Sequence, residues 1–162
     1  MAVDREKLLD DVGWQILAAL QDNGRLSFAE LGRRVNLSLP AVAERVRRME
    51  EAGIITGYHA AVDMGKLGLP IGAFIRVSTS KEGCARVTAL AAERPEIREC
   101  HRVTGTDSYI MKVSVASIAH LETLIDRLMP LGPFATSIVL SSPVVKRVVD
   151  RASPNVGDAE TF

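Results

Sequence analysis

Arginine side chains are concentrated in one short stretch of an otherwise neutral chain. The 162 residues carry 20 Lys and Arg against 20 Asp and Glu, yet the stretch from Arg25 to Arg48 holds six arginines and two glutamates. A planar guanidinium presents a fork of N–H donors that matches phosphate oxygens and the edge of a guanine base. The chemistry that this cluster predicts is the binding of a nucleic-acid backbone by one local basic face.

Two short helices joined by a tight turn are predicted to hold these arginines in place. Ser27, with a glutamate three residues later, has the pattern of a capping box, so the first helix should begin there. Asn36-Leu37 interrupts the helical pattern, and Ser38 supplies a second cap. Because Pro40 is tolerated in a first turn, where a missing N–H costs nothing, the second helix should begin at about Leu39.

The second of these helices is predicted to have a buried side and an outward side. Val42, Val46 and Met49 fall at i, i+4 and i+7 and form one apolar stripe, and Phe28 is placed on the apolar face of the first helix. The outward side is small and polar at its N-terminal end, as close approach to base edges requires. The residues predicted to contact DNA are Arg25, Ser27, Ser38, Leu39, Pro40, Ala43, Glu44, Arg45, Arg47 and Arg48. An ordinary helical hairpin with a solvated charged face is the alternative that this stretch leaves open.

The pattern around this helix pair predicts a DNA-binding domain over residues 1–63. Apolar residues recur at helical spacing from Leu8 to Leu20 and stop at Asn23-Gly24, which predicts one further helix ahead of the pair. After the pair, Gly53 ends the helix, and the segment from Ile54 to Asp63 is predicted to form a strand, a turn and a second strand. That segment would serve both as a small wing and as the linker.

Residues 64–150 have the pattern of a separate α+β domain. Strand-like and helix-like segments follow in the order β-α-β-β-α-β, which fits a ferredoxin-like sandwich of four antiparallel strands with two helices on one face. In chain order they are residues 71–78, 84–92, 97–103, 109–115, 118–129 and 135–140. Successive strand positions face opposite sides of the sheet, and apolar residues occur at both sets of positions. The sheet face that the helices leave open is therefore expected to pack against a second copy in a homodimer. Residues 151–162 lack periodicity and are expected to form a flexible tail.

Composition and cysteine placement exclude several other classes of protein. No apolar run approaches the roughly 18 to 20 residues of a membrane span, and the charged N-terminus is unlike a signal sequence, so a cytoplasmic protein without membrane partners is expected. Cys84 and Cys100 lie outside any metal-ligand spacing, so no metal site or cofactor is expected. No Ser/His/Asp triad, phosphate loop or paired carboxylate is visible, so no catalytic residue is assigned.

A linked set of short motifs resembles the Lrp/AsnC family of feast/famine transcriptional regulators. In the first half the matching residues are Leu9-Asp10, Ile16-Leu17, Asn23-Gly24-Arg25, Leu31, Leu37-Ser38, Val42, Arg45-Val46, Glu50, Gly53, Ile55, Gly57-Tyr58, Ala60, Asp63 and Leu67-Gly68. In the second half they are Val103-Thr104-Gly105, Asp107, Tyr109 and Lys112-Val113. The resemblance implies an N-terminal winged helix-turn-helix and a C-terminal ligand-binding domain. It also implies dimerisation through the sheets, higher assemblies of dimers and a response to amino acids.

The same resemblance implies that an effector binds at the loop from Thr104 to Tyr109. Gly105 permits close backbone approach, Asp107 can pair with an ammonium group, and the neighbouring hydroxyls can donate or accept. The residues assigned to the effector are Thr104, Gly105, Thr106, Asp107, Ser108 and Tyr109, with Thr136 and Ser137 from the facing strand. A β-hairpin turn rich in turn-forming residues is the alternative.

Two further functions remain open at the level of sequence. Sirohaem decarboxylases resemble the same two-part architecture, and His101 lies between Arg98 and Arg102 in a comparable strand, although Ile110-Met111-Lys112 replaces the aromatic cluster expected next. A sensor that only assembles with relatives is the other alternative. The interpretation favoured is a regulator that binds a pseudo-palindromic operator in double-stranded DNA and responds to an amino acid.

Overall fold

The computed structural model describes residues 5–151, in which helices precede a β-α-β-β-α-β unit. The chain divides into one unit that comprises residues up to Ala60 together with those from Val144 onward, and a second from Ala61 to Pro143. The domain limits at residues 63 and 150 stay a prediction; in the structure, residues 144–150 group with the helical unit. Apart from Arg151, the predicted flexible tail lies outside the described residues.

The helical unit begins with a break that the sequence pattern did not indicate. Its described helices are α1 (Arg5–Leu8), α2 (Asp11–Asp22), α3 (Phe28–Val35) and α4 (Leu39–Glu51). The single helix predicted from Leu8 is interrupted because Asp10 adopts an extended backbone and caps α2, its carboxylate accepting from the Gly13 N–H at 2.8 Å. A side chain at Gly13 would come within 1.9 Å of the Leu8 carbonyl oxygen, so this close turn requires glycine.

The core of the helical unit lies between α2, α3 and α4. The predicted stripe is confirmed, since Val42, Val46 and Met49 are fully buried, together with Leu31 and Ile16. Burying such side chains stabilises a fold by about 1.5 to 3 kcal/mol each relative to exposure. Phe28, which is predicted to lie on the apolar face of α3, is at the very start of the helix and remains 42% exposed.

The segment after α4 is extended but unpaired. The two strands predicted between residues 54 and 63 are absent from the structure, which assigns no strand there. Strands need a neighbouring ladder of main-chain donors and acceptors, and this segment has none within the described residues. Instead the Tyr58 hydroxyl donates to Glu50 Oε1 at 2.9 Å. Partial burial and the adjacent carboxylate raise the pKa of Tyr58 to about 12.

The second unit confirms the ferredoxin-like order. Its elements are β1 (Ile71–Val77), α5 (Gly83–Glu93), β2 (Ile97–Arg102), β3 (Tyr109–Val115), α6 (Ile118–Leu128), a short 3₁₀ helix (Met129–Leu131) and β4 (Phe134–Ile138). The sheet order is β2-β3-β1-β4, and all neighbours are antiparallel. None of the helices within residues 5–151 is long and apolar enough to cross a membrane.

The two faces of this sheet differ in chemistry. Ile75 and Met111 lie opposite each other and are fully buried in one cluster with Val87 of α5 and Leu124 of α6, so both helices cover the same face. The other face carries Phe74 at 42% exposure. Around Phe74 this open face also holds Arg76, Ile110, Lys112 and Ala135, which the strand register places on the same side. The open face is therefore mixed rather than uniformly apolar.

Candidate nucleic-acid interface and effector loop

Both helices of the candidate DNA-binding motif begin at the predicted caps. Ser27 Oγ accepts from the Glu30 N–H at 3.2 Å while Glu30 Oε2 accepts from the Ser27 N–H at 2.9 Å, which completes a capping box. Ser38 Oγ accepts from the Ala41 N–H at 3.4 Å. Such caps are worth about 0.5 to 2 kcal/mol each and fix where a helix starts.

The turn between these helices is tight for two reasons. Asn36 adopts the left-handed conformation at φ 55°, which short polar side chains tolerate better than most. Gly32 packs so closely that a Cβ there would lie 2.6 Å from the Leu37 carbonyl oxygen. At the N-terminal end of α4, directly after this turn, Leu39 is 53% exposed and Pro40 is exposed beside it.

The C-terminal half of α4 carries an ion-pair network on its outward side. Arg47 forms a fork with Glu44, with Nη2–Oε1 at 2.8 Å and Nε–Oε2 at 2.9 Å, and Arg47 Nη1 also donates to Glu51. Arg48 Nε donates to Glu44 Oε1 at 2.8 Å. Hydrogen bonds from Arg47, which has the larger effect, and from Arg48 lower the pKa of Glu44 to about 2. The network is formed by exposed side chains and contributes little to stability.

Arg45, predicted at the DNA face, is bound elsewhere in the structure. Its Nη1 and Nη2 donate to Asp10 Oδ1 and Oδ2 at 2.7 and 2.8 Å. The hydrogen bond from Arg45 is the main reason that the pKa of Asp10 is lowered. The structure therefore directs Arg45 toward the start of α2, and it places Asp10, to which the sequence analysis assigns no role, next to α4.

Three other arginines stand at the exposed edge of the motif. Arg25, Arg33 and Arg34 are exposed and form no ion pair within the part of the chain that the structure describes. Arg33 and Arg34 lie in the last turn of α3 and were not among the residues assigned to DNA. Their charge is solvated, whereas the guanidinium of Arg47 is paired with Glu44 and Glu51.

The predicted effector loop is hydrogen-bonded to the C-terminal end of β1. The Ser108 N–H donates to the Val77 carbonyl at 2.9 Å, and Ser108 Oγ accepts from the Thr79 N–H at 3.0 Å. Ser78 Oγ lies 3.0 Å from the Thr106 carbonyl oxygen and 3.3 Å from Asp107 Oδ1. Ser78 and Thr79 are thus partners of the loop that the sequence interpretation missed, although two hydroxyls directly after a strand were a signal for them.

The open side of the loop consists of Thr104, Gly105 and Thr106, all exposed. Gly105 has φ 112° with no atom within 4 Å of a Cβ position, so glycine is required here by backbone conformation and not by crowding. Asp107 is half-buried behind these residues. A cleft of about 560 Å³ lies beside the loop and includes Ser78 and Thr79, the two residues that contact the loop. It is lined by residues 78–80, 82–83, 86 and 130–133.

Three of the residues assigned to the effector lie away from this loop surface. Tyr109 is 6% exposed and points into the core, with its hydroxyl 3.4 Å from the Cys84 carbonyl oxygen. Thr136 lies opposite Ile75, and its Oγ1 is buried without a hydrogen-bond partner among the described residues. Ser137 lies opposite Phe74 on the open face, about 10 Å along the strand from the loop end. Within one chain these three do not join the loop hydroxyls.

His101, considered above for an enzyme, belongs to a surface cluster. It is exposed, and its Nε2 lies 3.4 Å from Glu99 Oε2, while Lys112 Nζ donates to Glu99 Oε1 at 2.9 Å. These contacts describe a solvated ion-pair group on the open face of the sheet.

A capped helix-turn-helix followed by a separate ferredoxin-like domain with an open polar loop defines a DNA-binding regulator with a ligand-binding domain. Comparison with known families agrees, since residues 9–56 match the winged helix-turn-helix DNA-binding family and residues 72–149 match the Lrp/AsnC ligand binding domain. The chain belongs to the Lrp/AsnC family of transcriptional regulators.

Relatives extend the match over most of the chain. It is 45% identical over 134 residues to the HTH-type transcriptional regulator YezC of Bacillus subtilis, covering 83% of this chain and 95% of that protein. The solved structure of B. subtilis LrpC is 33% identical with a TM-score of 0.81, covering 85% of this chain and 99% of that one. The transcriptional regulator NMB0573 of Neisseria meningitidis, solved in complex with L-Met, is 29% identical with a TM-score of 0.82, covering 87% and 96%. Since these relatives are regulators, the protein is a transcriptional regulator and not an enzyme.

Proposed function

We propose that the protein binds a pseudo-palindromic operator as a homodimer and that a free amino acid alters its operator affinity or its assembly. The observation that carries the DNA half of the proposal is the uncharged N-terminal end of α4, which is flanked by arginines and formed by the exposed Leu39 and Pro40 with the half-buried Ala43. Small side chains let a helix approach base edges, and flanking guanidinium groups bind phosphates. Arg25 and the capped helix start at Ser38 would set the register on the backbone.

The open sheet face supports the homodimer. Phe74 and Ile110 supply an apolar centre, and Arg76, Lys112 and Glu99 supply charges of both signs around it. A two-fold interface places the same patch against itself, and a patch with both signs of charge can be self-complementary. Two recognition helices related by such an axis would meet half-sites about one helical turn apart, or a multiple of it. Dimers would then join into the higher assemblies that the family resemblance implies.

The loop at Gly105 supports the effector half of the proposal. A free amino acid presents one carboxylate and one ammonium group, and backbone N–H groups at a glycine turn suit the former while Asp107 suits the latter. The N. meningitidis relative was solved with L-Met, so binding of a free amino acid is a property of one protein with this fold. Thr136 and Ser137 do not reach the loop of their own chain. They would contribute only if a second copy brings them to it.

The DNA half is tested with Arg47→Ala and Val46→Ala on the DNA upstream of the protein's own gene. Arg47→Ala should weaken binding at each salt concentration while the circular dichroism spectrum is unchanged, because it removes an outward charge. Val46→Ala should lower the free energy of unfolding by roughly 1 to 3 kcal/mol, because it opens a cavity in the helical core. Arg127→Ala, an exposed arginine of α6, is the matched control. Equal binding by Arg47→Ala and the parent protein across the salt series would show that the DNA face lies elsewhere.

A further inference from the structure

Glu44 uses both carboxylate oxygens to hold the two arginines that follow it on α4. Oε1 accepts from Arg47 Nη2 and Arg48 Nε, each at 2.8 Å, and Oε2 accepts from Arg47 Nε at 2.9 Å. Glu51 accepts a further hydrogen bond from Arg47. These four side chains sum to zero charge, so the network that they form is electrically neutral in the free protein.

A carboxylate and a phosphate compete for the same guanidinium donors. Both present two oxygens to the planar fork of an arginine, with similar geometry and charge-assisted hydrogen bonds. A DNA phosphate that binds the Nε–Nη2 fork of Arg47 must therefore displace Glu44 from it. This cost is the same for every DNA sequence, because phosphates carry no sequence information.

The N-terminal half of α4 offers contacts that do depend on sequence. Leu39, Pro40 and Ala43 are uncharged, and they lie one or more turns before Arg47 on the same side of the helix. Base-edge contacts at this end can offset the cost of displacing Glu44 on the correct operator, whereas a random sequence offers no such contacts. Arg33 and Arg34, which form no ion pair with any described residue, still supply attraction to any duplex.

We propose that Glu44 restrains DNA binding: it holds Arg47 and Arg48 and thereby lowers the affinity of the protein for any duplex, so that tight binding requires the base-edge contacts that the operator offers to the start of α4. The proposal rests on the DNA face proposed above. Because the pKa of Glu44 is about 2, its carboxylate is charged throughout the physiological range, and the effect is not a pH switch.

The test is Glu44→Gln, which keeps the side-chain size and removes the charge. Binding to a random-sequence duplex and to the DNA upstream of the protein's own gene is measured from about 50 to about 300 mM salt. The random duplex should bind about three- to tenfold more tightly, with a steeper dependence of log affinity on log salt, since one additional phosphate contact adds about 0.9 to the slope. Affinity for the operator should rise by a similar factor, because the cost of displacing Glu44 does not depend on DNA sequence. Glu44→Asp, which keeps the charge, should stay closer to the parent affinities.

Glu122→Gln on α6 is the control, because it is exposed and changes the net charge equally. If Glu122→Gln raises random-duplex affinity as much as Glu44→Gln does, the effect is one of net charge and the inference is wrong. It is also wrong if Glu44→Gln leaves the affinity and slope of the random duplex unchanged while Arg47→Ala weakens binding, an outcome that preserves the proposed DNA face. If neither Arg47→Ala nor Glu44→Gln alters DNA binding, the proposed face itself fails.

Discussion

Arg45, in the middle of α4, donates two hydrogen bonds of 2.7 and 2.8 Å to the carboxylate of Asp10, which precedes α2. Asp10 thus has two tasks, since the same carboxylate caps α2 through the Gly13 N–H. The pair joins residues 35 positions apart in the chain. It ties the beginning of the first long helix to the helix that is proposed to meet DNA, so it should influence how firmly α4 is held.

Asp10→Asn separates these two tasks, because asparagine still caps a helix but does not form the ion pair. We expect a loss of up to about 1 kcal/mol in the free energy of unfolding, as both side chains are partly exposed. Asp10→Ala should cost about 0.5 to 2 kcal/mol more, since the cap is lost as well. Urea unfolding of the parent and both variants measures these differences. Equal stability of Asp10→Asn and Asp10→Ala would show that the cap is unimportant.

The ion pair also predicts how the stability difference between the parent protein and Asp10→Asn depends on pH. The folded-state pKa of Asp10 lies below its ordinary value of 3.8, so the charged carboxylate is favoured by folding. Its contribution is therefore fully present above about pH 5 and is lost as the pH falls through the ordinary value of 3.8 and then through the lower folded-state pKa. The stability difference between the parent and Asp10→Asn should shrink toward zero below that range. A difference that stays constant down to about pH 2 would contradict the assignment to this carboxylate.

Signals that lie close together in the sequence predicted the helix-turn-helix well. Ser27 and Ser38 were identified as caps, and the stripe containing Val42 was identified as core, because capping and helical periodicity are decided within a few residues. The Asp10–Arg45 pair has no such local signal. Nor does the contact of Gln21 with Val149, whose residues are 128 positions apart.

The effector loop shows a different limit of sequence interpretation. The turn at Gly105 was predicted because glycine is informative about backbone conformation. Tyr109 was assigned to the site, yet it begins an alternating strand whose buried members include Met111 and Val113, and this alternation already favoured an inward side chain. The place of Thr136 depends on the register between β1 and β4, which no local pattern encodes.

The segment after β4 gives the next prediction. Gln21 Nε2 donates to the Val149 carbonyl at 2.8 Å, and the Val149 N–H donates to Gln21 Oε1 at 3.0 Å, so one side-chain amide satisfies both main-chain groups of Val149. Gln21→Ala should increase hydrogen exchange at the Val149 amide by about five- to tenfold, equivalent to about 1 kcal/mol. Gln15→Ala, exposed on the same helix, is the control and should leave this exchange unchanged. Unchanged exchange in Gln21→Ala would mean that the segment is held by other contacts.

The proposed dimer is tested on the full chain with Phe74→Glu. This change places a charge at the apolar centre of the open sheet face, so light scattering should show a shift from dimer toward monomer at micromolar concentration. Ile118→Glu is the control, because Ile118 is comparably exposed at 50% but begins a helix on the covered side of the sheet. A dimer that survives Phe74→Glu but dissociates in Ile118→Glu would place the interface on the helices.

Removal of the Asp107 carboxylate should abolish the response to an amino acid. The parent protein is titrated calorimetrically with the twenty common amino acids, and any ligand found is then titrated into Asp107→Ala. We expect at least a several-fold and up to a hundredfold loss of affinity, because an ammonium group would be left without its partner. Asp126→Ala, an exposed aspartate of α6, should bind as the parent does. If no amino acid binds the parent, the effector half of the proposed function loses its main support.

Gly105→Thr tests the backbone of the loop separately from its charge. At φ 112° no neighbouring atom obstructs a side chain, but a β-branched residue cannot hold this conformation without strain of about 1 to 3 kcal/mol. The loop should therefore adopt a different turn, which redirects the N–H groups proposed to bind the ligand carboxylate. Affinity for the amino acid should fall as in Asp107→Ala, while operator binding without ligand is retained, because the helix-turn-helix is untouched. A ligand that binds Gly105→Thr and Asp107→Ala as tightly as the parent must have its site elsewhere, since coupling to DNA requires different affinities of the ligand for the two states.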